Sequence, residues 1–500
     1  DTNKKYVIDA QASYSPSAPI HAGSSTTFII SPTCDNTADL YNGFIKATLQ
    51  IKQLFIDAVL AKNADVAADG YGFDSIWVGF KDAMDSVEKY EILSNGISIY
   101  TQNFGPEESF ITACGANEAS KRADVYSKVR HSDIFKRNFN VARCGTIVRL
   151  PHSGEATAID VPDIPLKIDL RRFLPLSNIK YLPSFAGKLE LKVTFGLQGL
   201  VYCPLGPSKQ LLHDPAKYIK FILNKVTTEF TPIGEEITTY NNLTTGEGKH
   251  TVAVAAHTVT ASREFDVINC YSVIPNFGID GDIYNALVQR YTQQELIFPT
   301  QILTFTTMSK PIDAGSVQST TQTITPRFVD SIFFLFPLKT NYHTVFKNPG
   351  FKHFQLRCGG YGVVPTIPFA TDGSDPMFLE LCQNAMNVNG EQTGFNKEVI
   401  NSLTNKDAWD ANTGFHSNDT TSFFIGLPTE TDNTFQQGQS TNTPITYEIV
   451  CDLPGGNYYG VNKTTPPLMA LLQDIVISIH VQPNGMPTVV EFGSYDVTSR

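Results

Sequence analysis

A chain of 500 residues is long enough for two or three domains, and its 17% charged side chains fall below the roughly 25% of ordinary soluble proteins. With 33 Phe and 20 Tyr, such a composition describes a protein that hides much of its surface, within itself or against copies of itself. The net charge of −11, with no basic run beyond Lys4-Lys5 and Arg171-Arg172, argues against a nucleic-acid binder working through a basic stripe. The nearest two of the eight cysteines, Cys358 and Cys382, are 24 positions apart, which excludes zinc ribbons and CxxC redox motifs.

Strands are expected at 26–31, 44–53, 146–150, 187–195, 251–254, 265–273, 447–452 and 474–481. The clearest is 187–195, where Leu189, Leu191, Val193 and Phe195 alternate with Lys188, Glu190, Lys192 and Thr194. In 474–481 the inward set is Ile475, Ile477, Ile479 and Val481. Asn95-Gly96 between apolar runs predicts a tight hairpin, because both residues tolerate positive φ.

Helices are few. Glu107 and Glu108 follow Pro106 in a first turn where the helix dipole favours acid. A polar helix is expected over 116–131, another opening at Asp214-Pro215 and carrying Tyr218, Phe221, Ile222 and Lys225, and a third capped by Asp282 with Ile283, Leu287 and Tyr291 on one side. Residues 383–444, rich in Asn, Thr, Gly and Gln, read as a long loop insertion.

The two halves repeat an order. Asp74-Ser75-Ile76-Trp77, Lys89 to Leu93, a turn at Asn95-Gly96, a strand from Ile97, then Pro106 and Cys114 recur as Asp330-Ser331-Ile332-Phe333, Lys352 to Leu356, a turn at Gly359-Gly360, a strand from Gly362, then Pro376 and Cys382. On this reading each half closes on an alternating strand, 187–195 and 474–481, which predicts two β-domains of one type in tandem.

No chemistry stands out. Gly248-Lys249 lacks the rest of a phosphate-binding loop, and neither H-E-x-x-H nor G-x-S-x-G occurs. Asp280-Gly281-Asp282 lacks the glycine and glutamate of a calcium loop, with Asn285 and Tyr291 in their places, and reads as a helix cap. His250 and His257 fall on opposite strand faces, and Arg171-Arg172 beside Asp169 read as structural ion pairs at a strand end or a subunit contact. Trp77 and Trp409 read as core and loop anchors, the cysteines as free buried thiols, and the sequons at Asn242, Asn418 and Asn462 as chance. No catalytic, cofactor-binding or metal-binding residue, and no cofactor, is assigned. The apolar stretches 331–338 and 475–481 are too short to span a membrane.

Three stretches carry a resemblance: Ser25 to Cys34 followed by Asp39-Leu40-Tyr41-Asn42-Gly43-Phe44, Ile164-Pro165-Leu166-Lys167-Ile168-Asp169-Leu170 through Leu174-Pro175-Leu176 into 187–195, and Asn348-Pro349-Gly350-Phe351 with Phe354-Gln355-Leu356 and Val364-Pro365. The chain resembles the double jelly-roll major capsid proteins of the Polinton (Maverick), polinton-like virus and virophage group. The resemblance implies an all-β fold of two tandem eight-stranded jelly rolls with short decorating helices. It implies an arm at 1–23, a first roll at 24–212, a linker helix at 213–226, and a second roll at 227–500 with 383–444 as an outer loop. The implied partners are sister copies in a homotrimer, neighbouring trimers, a penton protein and minor capsid proteins, in a virion, with no sequence-specific nucleic acid and no enzymatic activity. The alternatives are a secreted or surface β-sandwich that binds carbohydrate, and a β-sandwich hydrolase with carboxylates gathered from distant positions.

Overall fold

The computed structural model describes residues 6–11, 19–21, 23–32, 36–51, 75–80, 82–115, 144–149, 163–196, 201–205, 221–223, 230–232, 239–241, 249–251, 265–312, 315–325, 329–337, 346, 348–359, 362–386, 403, 409–410, 415–416, 423–429, 444–453, 465–481 and 487–493.

A hairpin turns at Asn95-Gly96. Both residues have positive φ, 49° and 82°, so the chain reverses in two residues and joins strands Val87–Ser94 and Ile97–Gln102. Leu189–Phe195 pairs with the far edge of Val87–Ser94, and Ser25–Ile29 pairs with Leu189–Phe195. The resulting four-stranded sheet runs, in order of appearance along the chain, first, fourth, second, third.

The second half builds the same sheet from Gly315–Ile324, Ile445–Leu453, His353–Cys358 and Gly362–Phe369, again first, fourth, second, third. A further sheet in this half repeats that order with Leu296–Thr307, Leu468–Val481, Val329–Leu335 and Ile425–Pro428, and Pro487–Gly493 extends it. In the first half Val201–Leu205, Ser75–Phe80 and Cys144–Arg149 form the fourth-second-third part of that pattern among the described residues.

This topology corrects one expected equivalence. The counterpart of Leu189–Phe195 is Ile445–Leu453, with Ile445, Tyr447, Ile449 and Cys451 buried in period two, and not 474–481. The 474–481 segment is the end of the 14-residue strand Leu468–Val481. Its first part, Leu468 to Gln473, is buried without alternation because neighbours flank it and both faces are covered. Farther along, Ile477 and Ile479 are buried as expected and Ile475 is half-buried.

A seven-stranded sheet lies outside these four. The 14-residue strand Phe265–Gly278 pairs with Phe44–Ile51, Asn36–Asp39, Tyr6–Gln11 and Ile20–His21; Ile164–Asp169 and Tyr181–Pro183 complete it. A bulge between Ile268 and Tyr271 is absorbed by Asn269 at φ 50°. Two expectations change here. Strands within 1–23 are stitched into the chain's own sheet instead of forming a separate arm. Phe265–Gly278, expected in a second roll at 227–500, hydrogen-bonds to strands that precede residue 52.

Three further differences have local causes. Phe221–Leu223, expected in the linker helix, is a strand paired with Phe230–Pro232, since a Phe-Ile-Leu run suits a pleated surface as well as a helix. The helix expected at Asp282 runs Gly281–Gln293 and is capped by Asp280, whose carboxylate accepts from the Asp282 N–H at 3.0 Å. The segment 383–444 is not all loop: it holds the core strand Ile425–Pro428, with Leu403, Phe423 and Phe424 buried beside it. The expected helix at 116–131, residues 252–254 of the expected strand and the three sequons lie outside the described residues.

The second half is packed around phenylalanine. Phe354 contacts the rings of Phe334, Phe336, Phe351 and Phe369 at centroid distances of 5.4 to 6.5 Å. Asn348 organises the turn that carries Phe351: its side chain donates to the carbonyls of Thr371 (2.6 Å) and Leu403 (3.2 Å) and accepts from the Gly350 N–H (2.8 Å). Buried polar groups are tolerated there because each is paired.

Candidate functional site: the junction between the two halves

The helix Gly105–Gly115 leaves the end of Ile97–Gln102 and runs into the core of the other half. Its start is tight, for a Cβ on Gly105 would overlap the Val87 carbonyl oxygen. Phe110, Ile111 and Cys114 on this helix, and Leu174 from the short helix Leu174–Leu176, belong to the same buried cluster as Phe333, Phe354 and Leu471. Phe110 packs on Phe346 at 4.6 Å and Phe104 on Phe305 at 5.2 Å. The halves therefore share a core.

A polar network crosses the same junction. Glu108 is fully buried. It accepts from the Tyr90 hydroxyl (2.7 Å), the Gln102 side-chain amide (2.7 Å) and the Leu174 N–H (3.2 Å). The same Gln102 amide donates to the Leu303 carbonyl of Leu296–Thr307 at 2.8 Å. The Thr300 hydroxyl, on that strand, donates to the carbonyl of Pro175 (2.9 Å). Burial pushes the Glu108 carboxyl up to about 7, against the pull of its hydrogen bonds to Tyr90, Gln102 and Leu174 and of the Arg172 charge. Burial, reinforced by the Glu108 charge, likewise holds the Tyr90 and Tyr100 hydroxyls well above their ordinary value.

A second seam lies nearby. Tyr284 and Tyr291 of Gly281–Gln293 pack on Phe185 at 5.8 and 5.7 Å, and the hydroxyls of Ser184 and Tyr284 lie 2.7 Å apart.

Arg171 and Arg172 make structural ion pairs at a strand end: Arg171 with Asp169 (3.4 Å), Arg172 with Asp82 (3.2 Å), while Lys167 also meets Asp169 (3.0 Å). Cys270, Cys382 and Cys451 are buried free thiols, and Cys114 and Cys358 are buried as well. Burial raises the Cys270 and Cys451 thiols to about 12, so they are inert at neutral pH. Trp77 and Trp409 fall in strands Ser75–Phe80 and Trp409–Asp410. Among the described residues no group of His, Cys, Asp and Glu is placed to hold a metal, and no helix is long and apolar enough to cross a membrane. Sequence reasoning placed Glu108 at a helix N-terminus for its charge and missed its burial; nothing in its neighbourhood of sequence marks the strand 195 positions away that meets its partner Gln102.

Both sides of this junction fall within one stretch of similarity to a solved structure. Over 99% of its length the chain is similar to PBCV-1 VP54 fitted into a cryo-EM reconstruction of the virophage Sputnik, covering 98% of that chain at a TM-score of 0.50 and 10% identity. The fold is a double jelly roll. Lower scores relate it to the Sputnik virophage structure (10% identity, 100% and 91% covered, TM-score 0.47) and to the mavirus major capsid protein (12%, 98% and 90%, 0.43). No family model and no curated protein matches the sequence. In this double jelly roll the junction is where the two halves share a buried core.

Proposed function

We propose that the chain is the major capsid protein of an icosahedral virus of the virophage kind, working as a wall and without catalysis. One observation carries the reading: two rolls of one topology are fused in a single chain across a shared apolar core, over the full length of a capsid-type fold. A rigid pair of equal rolls is a building unit. Three such pairs around an axis make a nearly six-sided block, and closed cyclic symmetry is the usual route to such an oligomer. Low charge and abundant aromatics suit surfaces buried against sister copies. A penton protein, minor capsid proteins and residence in the virion belong to the same proposal.

The test is mass in solution, with electron microscopy of the same sample. The expected species is a trimer of about three chain masses, or large particles, with interfaces of about 2,000 Å² or more. A stable monomer at high micromolar concentration, with no particles under any assembly condition, would overturn the reading.

A further inference from the structure

The seven-stranded sheet has one closed face and one open face. Ile45, Ala47 and Leu49 of Phe44–Ile51 are buried on one side, which turns Phe44 and Lys46 to the other. Lys46 stands directly opposite Lys167 on the paired strand, and like charges so placed repel. Each is held over a ring, Lys46 5.6 Å from the centroid of Tyr271 and Lys167 5.0 Å from that of Phe44. Arg171 lies 5.3 Å over Tyr41, which is 43% exposed. The Leu40 N–H donates to the Lys180 carbonyl, bringing exposed Lys180 and Tyr181 alongside. Asp169, pinned between Lys167 and Arg171, is buried and leaves the face basic in a chain of net charge −11.

Next to this face is a tip of opposite character. Phe277, whose ring meets Tyr181 edge-on at 5.4 Å, lies one residue before the end of Phe265–Gly278, and the chain continues through Asp280 into Gly281–Gln293. None of the 13 residues of that helix is buried; Asp280 and Asp282 are exposed and Ile283 is 47% exposed.

We propose that the two patches meet between copies: the acidic, apolar tip of one molecule (Asp280, Asp282, Ile283) docks on the basic aromatic face of the next (Lys46, Lys167, Arg171, Tyr41). The contact rests on the shell reading and names the surfaces it uses. Opposite charge steers the encounter and fixes the register, and Ile283 supplies an apolar anchor against the ring of Tyr41. Because the patches differ, the contact is head-to-tail and repeats around a ring or across a lattice.

A charge swap tests it. Asp282→Lys, at an exposed position, is expected to raise the concentration needed for assembly on the order of tenfold or more without changing the melting temperature appreciably. Lys46→Glu with Lys167→Glu is expected to do the same, and the triple variant to recover assembly. The proposal is overturned if Asp282→Lys assembles as the wild type does. It is also overturned if the lysine variant fails, the triple variant does not recover, and the loss is instead of nucleic acid co-purifying with the wild-type particle. Absence of any wild-type oligomer would sink the shell reading itself, a result distinct from either.

Discussion

At the scale of the residue, Glu108 is the most informative side chain. Its carboxyl is raised from an ordinary 4.5 to about 7 by burial. A carboxyl raised in the folded state keeps its proton while the unfolded chain gives its own up. Its contribution to stability is therefore full below about pH 4.5, falls as pH rises, and is lost above about 7. The span corresponds to about 3 kcal/mol. Glu108→Gln fixes the neutral form, so its urea midpoint is expected to gain on the wild type from pH 5 to about pH 7 and to level off toward pH 8. Parallel midpoints across that range would show that Glu108 does not carry the effect. The sequence offered only a helix-dipole role for this residue, because burial is set by Leu174 and the strand bearing Leu303, both far along the chain.

At the scale of the element, alternation and turn chemistry were legible where one face of a strand is buried. Asn95-Gly96 forms the expected hairpin, and Leu189, Leu191, Val193 and Phe195 are buried as expected, although Glu190 and Thr194 on the opposite face of that strand are buried as well. The reading failed where a strand is covered on both faces, as in Leu468 to Gln473, or where a short core strand sits inside a polar stretch, as Ile425–Pro428 does. Gly426 there faces the Cβ of Ala385 so closely that a side chain would not fit, and the apolar run Phe423-Phe424-Ile425-Gly426-Leu427 is short and enclosed by long polar stretches that masked it. The phenylalanine cluster makes its own prediction. Phe354→Ala empties a site lined by Phe334, Phe336, Phe351 and Phe369 and is expected to cost about 3–5 kcal/mol, read as a shift in denaturant midpoint. A loss under about 1 kcal/mol would mean the rings close over the gap.

At the scale of the whole molecule, the rolls are coupled by shared apolar packing as well as by hydrogen bonds. Phe110, Ile111, Cys114 and Leu174 lie in one cluster with the second roll's core, and Gln102 and Thr300 bridge the seam. Independent domains would melt separately; a common core makes separation expose apolar surface on both sides. Calorimetry is expected to show one cooperative transition, with calorimetric and van't Hoff enthalpies in agreement. Two resolved transitions would show that the rolls are only tethered.

Composition and local pattern determined that this protein is all-β, that it is built in two similar halves, and that it carries no recognisable catalytic motif, because alternation, turn residues and their order are local properties of the chain. Which strand answers which across the repeat, the seven-stranded sheet drawing Tyr6–Gln11 and Phe265–Gly278 together, the burial of Glu108 and the opposed Lys46 and Lys167 were decided only by the tertiary structure. Each depends on contacts between residues tens to hundreds of positions apart, and no local pattern encodes which distant strand will arrive.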